Sequence, residues 1–283
     1  MKILRTASEM QCACRELRDS GKRGIGFVPT MGALHEGHLS LVRAAKLQCD
    51  VVVASIFVNP TQFAAGEDFA KYPRVFEQDC AMLEAEGVEI LFAPSADEMY
   101  PAGASTFVEV AGISDRLDGV SRPGHFRGVA TVVLKLFHIV GPERAYFGQK
   151  DAAQVAVLRA MVKDLNVPVE LVVCATVREA DGLAMSSRNR YLSAEERERG
   201  AVVPRALESA KELLQAGEAK ASLLRDAMLQ KLVGVDVDYV EVVDAVTLLP
   251  VEDVSDGALM AVAAWVGKTR LIDNVVVEAV TRG

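Results

Sequence analysis

Two histidines three residues apart, His35 and His38, stand in the run PTMGALHEGHLSL (29–41), after a short apolar stretch and just as a helical pattern begins. Free backbone N–H groups at a helix start, and the positive end of its dipole, favour a phosphate. Two imidazoles beside them can donate hydrogen bonds to phosphate oxygens as charge builds there. Gly32 and Gly37 let a ligand approach the backbone with no Cβ in the way. Two other readings compete. A metal pair is one, but H-E-G-H lacks the i,i+4 spacing by which H-E-x-x-H sets both rings on one ion. A loop pair without function is the other. The strand-before, helix-after position, where open α/β sheets bind ligands, favours the nucleotide.

Two further polar clusters follow expected strands, and two more lie at the expected domain join and at a Pro-Gly turn. FVNPTQF (57–63) places the amides of Asn59 and Gln62 on a Pro-held loop after a second apolar strand. YFGQKDAAQ (146–154) ends a strand at Gly148 and sets Lys150, a point charge suited to phosphate, at a helix N-terminus. Asp151 there reads equally as an N-cap, and Gln154 lies one turn into the helix. READGLAMSSRNRYLS (178–193) gathers Ser186, Ser187 and Arg188 in a segment that is either a solvated hinge or a ligand clamp. SRPGHFRGV (121–129) sets Arg122, His125 and Arg127 around a Pro-Gly turn, as an anion site or an exposed loop.

The elements that must carry these clusters alternate. Strands are expected at 24–30, 51–58, 88–94, 106–110, 143–148 and 169–174, with helices at 38–48, 76–87, 128–140 and 151–165. VVVASIFV is continuously apolar, as befits a parallel strand buried on both faces. The alternation predicts an α/β fold with a doubly wound parallel sheet. After residue 176 the pattern changes to helices at 193–215 and near 220–233, then three antiparallel strands within 237–248, 257–266 and 268–280. Ser193 with Glu196 is a capping-box signature. Two domains follow, 1–176 and a smaller α+β unit, 177–283.

Composition narrows the class. The chain has 283 residues, 51% apolar and 25% charged, enough for a sizeable core. Its 31 basic and 39 acidic residues give a net charge of −8, which argues against a nucleic-acid binder. No stretch has the length and apolarity of a membrane span or a signal sequence. The five cysteines are sparse, and Cys12-x-Cys14 lacks a second metal-binding pair, so reduced thiols and a cytoplasmic location are expected.

Taken together, PTMGALHEGHLSL, NPTQF, RPGHFRGV, YFGQKDAAQ and GLAMSSRN resemble the pantothenate synthetase (pantoate–β-alanine ligase) family, in order across residues 29–190. The H-x-G-H element alone is shared with a wider nucleotidyltransferase and aminoacyl-tRNA synthetase group; its combination with FGQKD and MSSRN is far more specific. The resemblance implies a Rossmann-like first domain, a smaller C-terminal lid, a homodimer, a cytoplasmic location, and Mg²⁺ accompanying ATP. It implies that Met31, Gly32, Ala33, Leu34, His35, Glu36, Gly37 and His38 contact ATP, with His38 as catalytic acid. Gly148, Gln149, Lys150, Asp151, Val177, Met185, Ser186, Ser187 and Arg188 would complete the ATP site. Gln62 would bind (R)-pantoate and β-alanine, Gln154 pantoate, and Asp79 is the side-chain candidate for the metal.

These residue types suit acyl adenylation. A carboxylate is ionised at neutral pH and needs no general base, which agrees with motifs rich in donors and cations but without paired carboxylates. The difficulty is charge on the α-phosphate and the departing pyrophosphate. His35, His38, Lys150, Ser186, Ser187, Arg188 and Mg²⁺ are suited to stabilise it. A nucleotidyltransferase that keeps the adenylyl group, or a nucleotide-sensing protein without turnover, are the alternatives.

Overall fold

The computed structural model describes residues 1–22, 24–64 and 67–279. They divide into two compact units. The first comprises 1–115, 122–148 and 157–175; the second comprises 116–121, 149–156 and the chain from 176 onward.

The first unit is built on six parallel strands, β1 (Lys2–Leu4), β2 (Ile25–Thr30), β3 (Val51–Ile56), β4 (Ile90–Phe92), β5 (Arg144–Gly148) and β6 (Glu170–Cys174). Their order across the sheet is β1-β4-β3-β2-β5-β6. The chain works outward from β2 to one side and then returns to add β5 on the other, so the topological switch falls between β2 and β5. In such sheets the carboxyl ends at the switch hold the ligand. Helices α1 (Ala7–Asp19), α2 (Glu36–Gln48), α3 (Phe76–Ala85), the short α4 (Ala96–Met99) and, beyond residue 122, α6 (His125–Val140) belong to this unit. The short α5 (Asp118–Ser121) belongs to the second unit, and α7 (Ala152–Asp164) begins there. Val28, Leu41, Val42, Val52, Leu83 and Leu91 form one apolar cluster beneath the β2–α2 connection. Apolar runs in β2 and β3 are buried along almost their whole length, as parallel strands covered on both faces require.

The second unit packs α8 (Ala194–Gly200), α9 (Val202–Gln215) and α10 (Ala221–Lys231) with the antiparallel sheet β7 (Asp236–Val243), β8 (Ala258–Val266) and β9 (Thr269–Val277). Leu207, Leu224, Met228, Met260 and Val262 lie at the centre of its core.

The α/β sheet and the separate antiparallel sheet are as expected, and several elements differ in detail. TFVEV (106–110) joins no sheet among the described residues: Val108 N–H donates to Thr131 Oγ1 at 2.9 Å, and Phe107 lies under the Arg127 guanidinium at 4.1 Å. Its alternation reflects one side resting on α6, not a ladder. The run 193–215 is two helices, because Gly200 and Ala201 break it. Pro204 has no N–H to offer the Gly200 carbonyl, and a Cβ on Gly200 would come within 2.9 Å of Leu271. The last strand ends at Val277; Val280, expected to extend it, lies outside the described residues. β1 and α1 carry no motif, although Thr6 and Glu9 form a capping box at the start of α1. Cys12 is exposed on α1 while Cys14 is buried, so the pair shares no face, and burial pushes the Cys14 thiol up to about 11.

One glycine sets how α6 lies on the loop after β3. A Cβ on Gly128 would sit 2.6 Å from the Thr61 carbonyl carbon and 2.7 Å from the Gln62 nitrogen, both backbone atoms that cannot swing away. Gly128→Ala is therefore expected to cost about 1–3 kcal/mol, the usual range for overpacking. Denaturant unfolding of the variant beside the wild type checks this; an unchanged midpoint would show that α6 can shift without cost.

Candidate active site

The chain leaves β2 through a loop whose shape is set by hydrogen bonds. Thr30 Oγ1 donates to the Ser55 carbonyl at 2.7 Å and accepts from Gly32 N–H at 3.1 Å, tying the ends of β2 and β3 together. Gly32 and Ala33 then adopt φ of +80° and +52°. Glycine takes the left-handed region without cost, but alanine does so only when the surroundings enforce it. Asp79, in the first turn of α3 and buried, is what enforces it. One carboxylate oxygen accepts from Ala33 N–H at 2.9 Å and the other from Leu34 N–H at 2.8 Å. Gly32 is required as well, since a Cβ there would meet Asp79 Oδ2 at 2.9 Å.

Held in this way, the loop delivers His35 as the N-cap of α2 and His38 into its first turn, so the helix starts earlier than the pattern suggests. His35 N–H donates to His38 Nδ1 at 3.3 Å, and the two rings lie 4.1 Å apart at 41°. With Nδ1 accepting, neutral His38 carries its proton on Nε2, which is then the donor of the ring. No earlier turn supplies acceptors to the amides of Glu36 and Gly37, so the helix start retains its affinity for anions. The Glu36 carboxylate would oppose that, but it pairs with Arg43, whose guanidinium also binds Glu86. Those two carboxylates hold the Arg43 guanidinium above its ordinary value, so it stays a cation.

Beside β3, Asn59 organises a second loop. Its Oδ1 accepts from the Tyr100 hydroxyl and the Thr61 hydroxyl, both at 2.9 Å. Its Nδ2 donates to the Gly128 carbonyl at 3.1 Å and to Gln62 Oε1 at 3.2 Å. Because Gln62 Oε1 is taken, its Nε2 faces Met31 Sδ at 3.1 Å, a weak acceptor that a substrate oxygen can replace. The Gln62 main chain is gripped from the basic turn. Arg122 Nη1 can only donate, so it makes His125 Nε2 an acceptor at 3.0 Å. His125 therefore donates through Nδ1 to the Gln62 carbonyl at 2.8 Å, and Arg122 itself forms a bidentate pair with Glu67 at 2.7 and 2.9 Å. Arg122 and His125 thus hold the Gln62 loop, and Arg127 stacks on Phe107. The turn is a brace, not a bare cation site.

A cavity of about 320 Å³ lies against the β2 loop, lined by Met31, Gly32, Phe57, Arg74, Phe76 and Asp79 among others. Arg74 donates there to the carbonyls of Tyr72 and Phe69, which fix its guanidinium in the wall of this largely apolar space.

In the second unit, Gln149–Asp151 form a 3-10 turn directly after Gly148. Lys150 Nζ lies 3.2 Å from Asp151 Oδ1, and Gln154 is half-buried in the first turn of α7. The Val177 carbonyl accepts from Met185 N–H at 2.9 Å, which brings these two expected nucleotide contacts side by side across a tight hairpin. Ser186 caps the next turn by accepting from Arg188 N–H at 3.3 Å, and Ser187 and Arg188 follow within it, half-buried. Asn189 is buried and donates to Glu179 and to the Ala184 carbonyl, fixing the turn from behind.

Sequence reasoning misses the residues that do the holding. Tyr100, Asp273 and Asn274 lie outside every polar cluster, while Arg178 and Asn189 stand within the 178–193 run without being singled out, and only the fold reveals their partners. Asp79, the metal candidate from sequence, uses both of its oxygens on the β2 loop. No group of three metal-binding side chains exists among the described residues.

A parallel sheet with paired imidazoles on a helix start at its switch point defines a nucleotide-binding α/β protein. The chain belongs to the pantoate–β-alanine ligase family and is a ligase: the family model matches residues 2–276. A pantothenate synthetase from Acidobacterium capsulatum is 63% identical over 288 residues, covering 97% of this chain and 96% of that one. The crystal structure of pantothenate synthetase from Thermus thermophilus superposes with a TM-score of 0.93 at 47% identity, covering 98% of this chain and 100% of that one. A pantoate–β-alanine ligase from Francisella tularensis, in complex with beta-gamma ATP and beta-alanine, gives 0.80 at 35% identity, covering 98% and 97%.

Asp79→Asn should lower stability by about 1–3 kcal/mol, since one loop amide then faces an NH₂ group. Ala33→Gly should recover part of that loss, because glycine removes the cost of the left-handed turn; thermal melts of the two single variants and the double variant decide it. A pH effect follows from Glu67. Burial pushes its carboxyl up, but the hydrogen bonds and charge of Arg122 outweigh this and hold it below its usual 4.5. The stabilisation is complete above that value and is lost as pH falls through the lower folded value. Glu67→Gln should abolish this part of the acid destabilisation, measured as melting temperature against pH.

Proposed function

We propose that this protein condenses (R)-pantoate with β-alanine, using ATP, through a pantoyl adenylate, and releases AMP and pyrophosphate. The observation that carries the reading is the His35–His38 pair, locked at the start of α2 with His38 Nδ1 accepting from the His35 N–H. The relative from Francisella, holding a nucleotide and β-alanine, supports it.

In the first step a pantoate carboxylate oxygen attacks the α-phosphorus and the bond to pyrophosphate breaks. The carboxylate is already an anion, so the catalytic task is to stabilise charge. The residues 31–38 supply backbone amides and the His38 donor; Lys150, Ser186, Ser187 and Arg188 supply an ammonium, two hydroxyls and a guanidinium. Gly148, Gln149, Asp151, Val177 and Met185 complete the nucleotide contacts, and Gln154 binds pantoate. Mg²⁺ accompanying ATP would help to neutralise the phosphate charge, and Asp79 serves the β2 loop. In the second step the β-alanine amine attacks the acyl carbon, AMP departs, and the nitrogen loses a proton. An aliphatic amine near pKa ~10.4 must be bound in its neutral form. Gln62 is suited to both steps, because Asn59 fixes its oxygen and leaves its NH₂ directed at Met31. An amide that donates without charge can hold the pantoate hydroxyl and then orient β-alanine.

The enzyme acts as a homodimer in the cytoplasm in this reading. No helix among the described residues is long and apolar enough to cross a membrane.

With ATP and pantoate alone, pyrophosphate should appear in an amount close to that of enzyme and then stop until β-alanine is added, when AMP is released. Absence of any pyrophosphate without β-alanine would remove the free-standing adenylation step, and retention of the adenylyl group on the product would make the protein a nucleotidyltransferase. His38→Ala should slow adenylation by about 10²–10³-fold, the cost of one transition-state donor; wild-type turnover in the folded variant would refute its role.

A further inference from the structure

Two neighbours on β9, Asp273 and Asn274, are both buried, although β9 is an edge strand. Successive residues of a strand point to opposite sides, and an edge ordinarily leaves some of them to water. Here each side chain is tied to a segment that carries candidate nucleotide contacts.

Asn274 uses its whole amide on the turn that bears Lys150. Its Oδ1 accepts from Gln149 Nε2 at 3.0 Å, and its Nδ2 donates to the carbonyls of Gln149 at 3.0 Å and Lys150 at 2.8 Å. Asp273 accepts from both terminal nitrogens of Arg178, at 2.6 and 3.1 Å, and from Asn274 N–H at 2.8 Å. Arg178 also donates to the Gly182 carbonyl at 3.0 Å, closing the hairpin in which Glu179 N–H reaches the Leu183 carbonyl at 2.8 Å. That hairpin leads directly into Met185–Arg188.

We propose that Asp273 and Asn274 are positioning residues for adenylation, a proposal that rests on the function argued above. Asn274 sets the Lys150 turn, and Asp273, acting through Arg178, sets Ser186–Arg188. One strand thereby fixes the spacing between an ammonium on one segment and two hydroxyls and a guanidinium on another before the nucleotide arrives. Preorganised donors act without reorganisation during the reaction, and a displacement of about 1 Å can cost about 10²-fold in rate. Tethering both segments to adjacent residues of a hydrogen-bonded strand is more rigid than leaving each on its own loop.

The test measures single-turnover pyrophosphate release from ATP and pantoate for wild type, Asn274→Ala, Asn274→Asp and Asp273→Asn, alone and combined with Lys150→Ala. Circular dichroism and thermal melting report the fold, and calorimetry reports pantoate affinity. Asn274→Ala should slow adenylation by about 10²-fold and raise the ATP KM, with pantoate affinity unchanged. Asn274→Asp should be slower still, because a carboxylate then faces two carbonyl oxygens. On top of Lys150→Ala, Asn274→Ala should add no more than about twofold, since it acts through that turn. Wild-type rates in folded Asn274→Ala and Asp273→Asn would overturn the proposal. So would full multiplication of the Asn274 and Lys150 effects, which is the signature of an independent structural role. Should Asn274→Ala not fold, Asn274→Ser and Asp273→Asn carry the same comparison. Absence of pyrophosphate from wild type would instead overturn the functional reading, which keeps the two failures distinct.

Discussion

A buried carboxylate that accepts two consecutive backbone N–H groups governs the first unit's chemistry. Asp79 lies on α3, 46 residues from Ala33 in sequence, and bonds both Ala33 and Leu34. Charge-assisted bonds of this kind are roughly twice as strong as neutral ones, and burial makes losing them more costly still. They offset the left-handed backbone of Ala33. The His35–His38 contact, the tautomer of His38 and the anion-binding helix start all follow from that one arrangement.

Both units solve the problem of holding a polar loop with a buried amide. Asn59 bonds Gln62, Gly128, Thr61 and Tyr100 in the first; Asn274 bonds Gln149 and Lys150 in the second. An amide both donates and accepts and carries no charge, so it can be buried without the desolvation penalty of an ion. It also adds nothing to the field felt by an anionic substrate. Other charged braces are paired, as Arg122 is with Glu67 and Arg178 with Asp273. Arg270 likewise meets Asp118 and Asp238, which draws 116–121 into the second unit.

Local sequence determined a good deal. Continuous apolar runs set β2 and β3, the 3.6-residue period set α2 and α3, and glycine and proline marked their ends, because these signals come from burial and backbone sterics within a dozen residues. Polar clusters at expected strand ends pointed to His35, His38, Gln62 and Lys150 as candidates, and the donor-rich run at the expected domain join pointed to Ser186–Arg188. Resemblance to a ligase family rested on those same clusters, and the family match agrees with it.

Tertiary structure alone decided which polar residues are braces. Asp79 enters from the family resemblance as a metal candidate, yet both of its oxygens go to the β2 loop, and nothing local singles out Asp273 and Asn274 within the run 268–280. Arg122 and His125 read in sequence as either an anion site or an exposed loop, and the fold gives them to the Gln62 carbonyl and Glu67. TFVEV has the alternation of a strand, and only the absence of a ladder partner among the described residues makes it a coil. Alternation and apolarity report what a segment buries, which its own residues fix. A hydrogen bond reports what it meets, and the partners here lie 46 residues away for Asp79 and Ala33, 125 for Gln149 and Asn274; no local pattern encodes a contact that only chain folding creates.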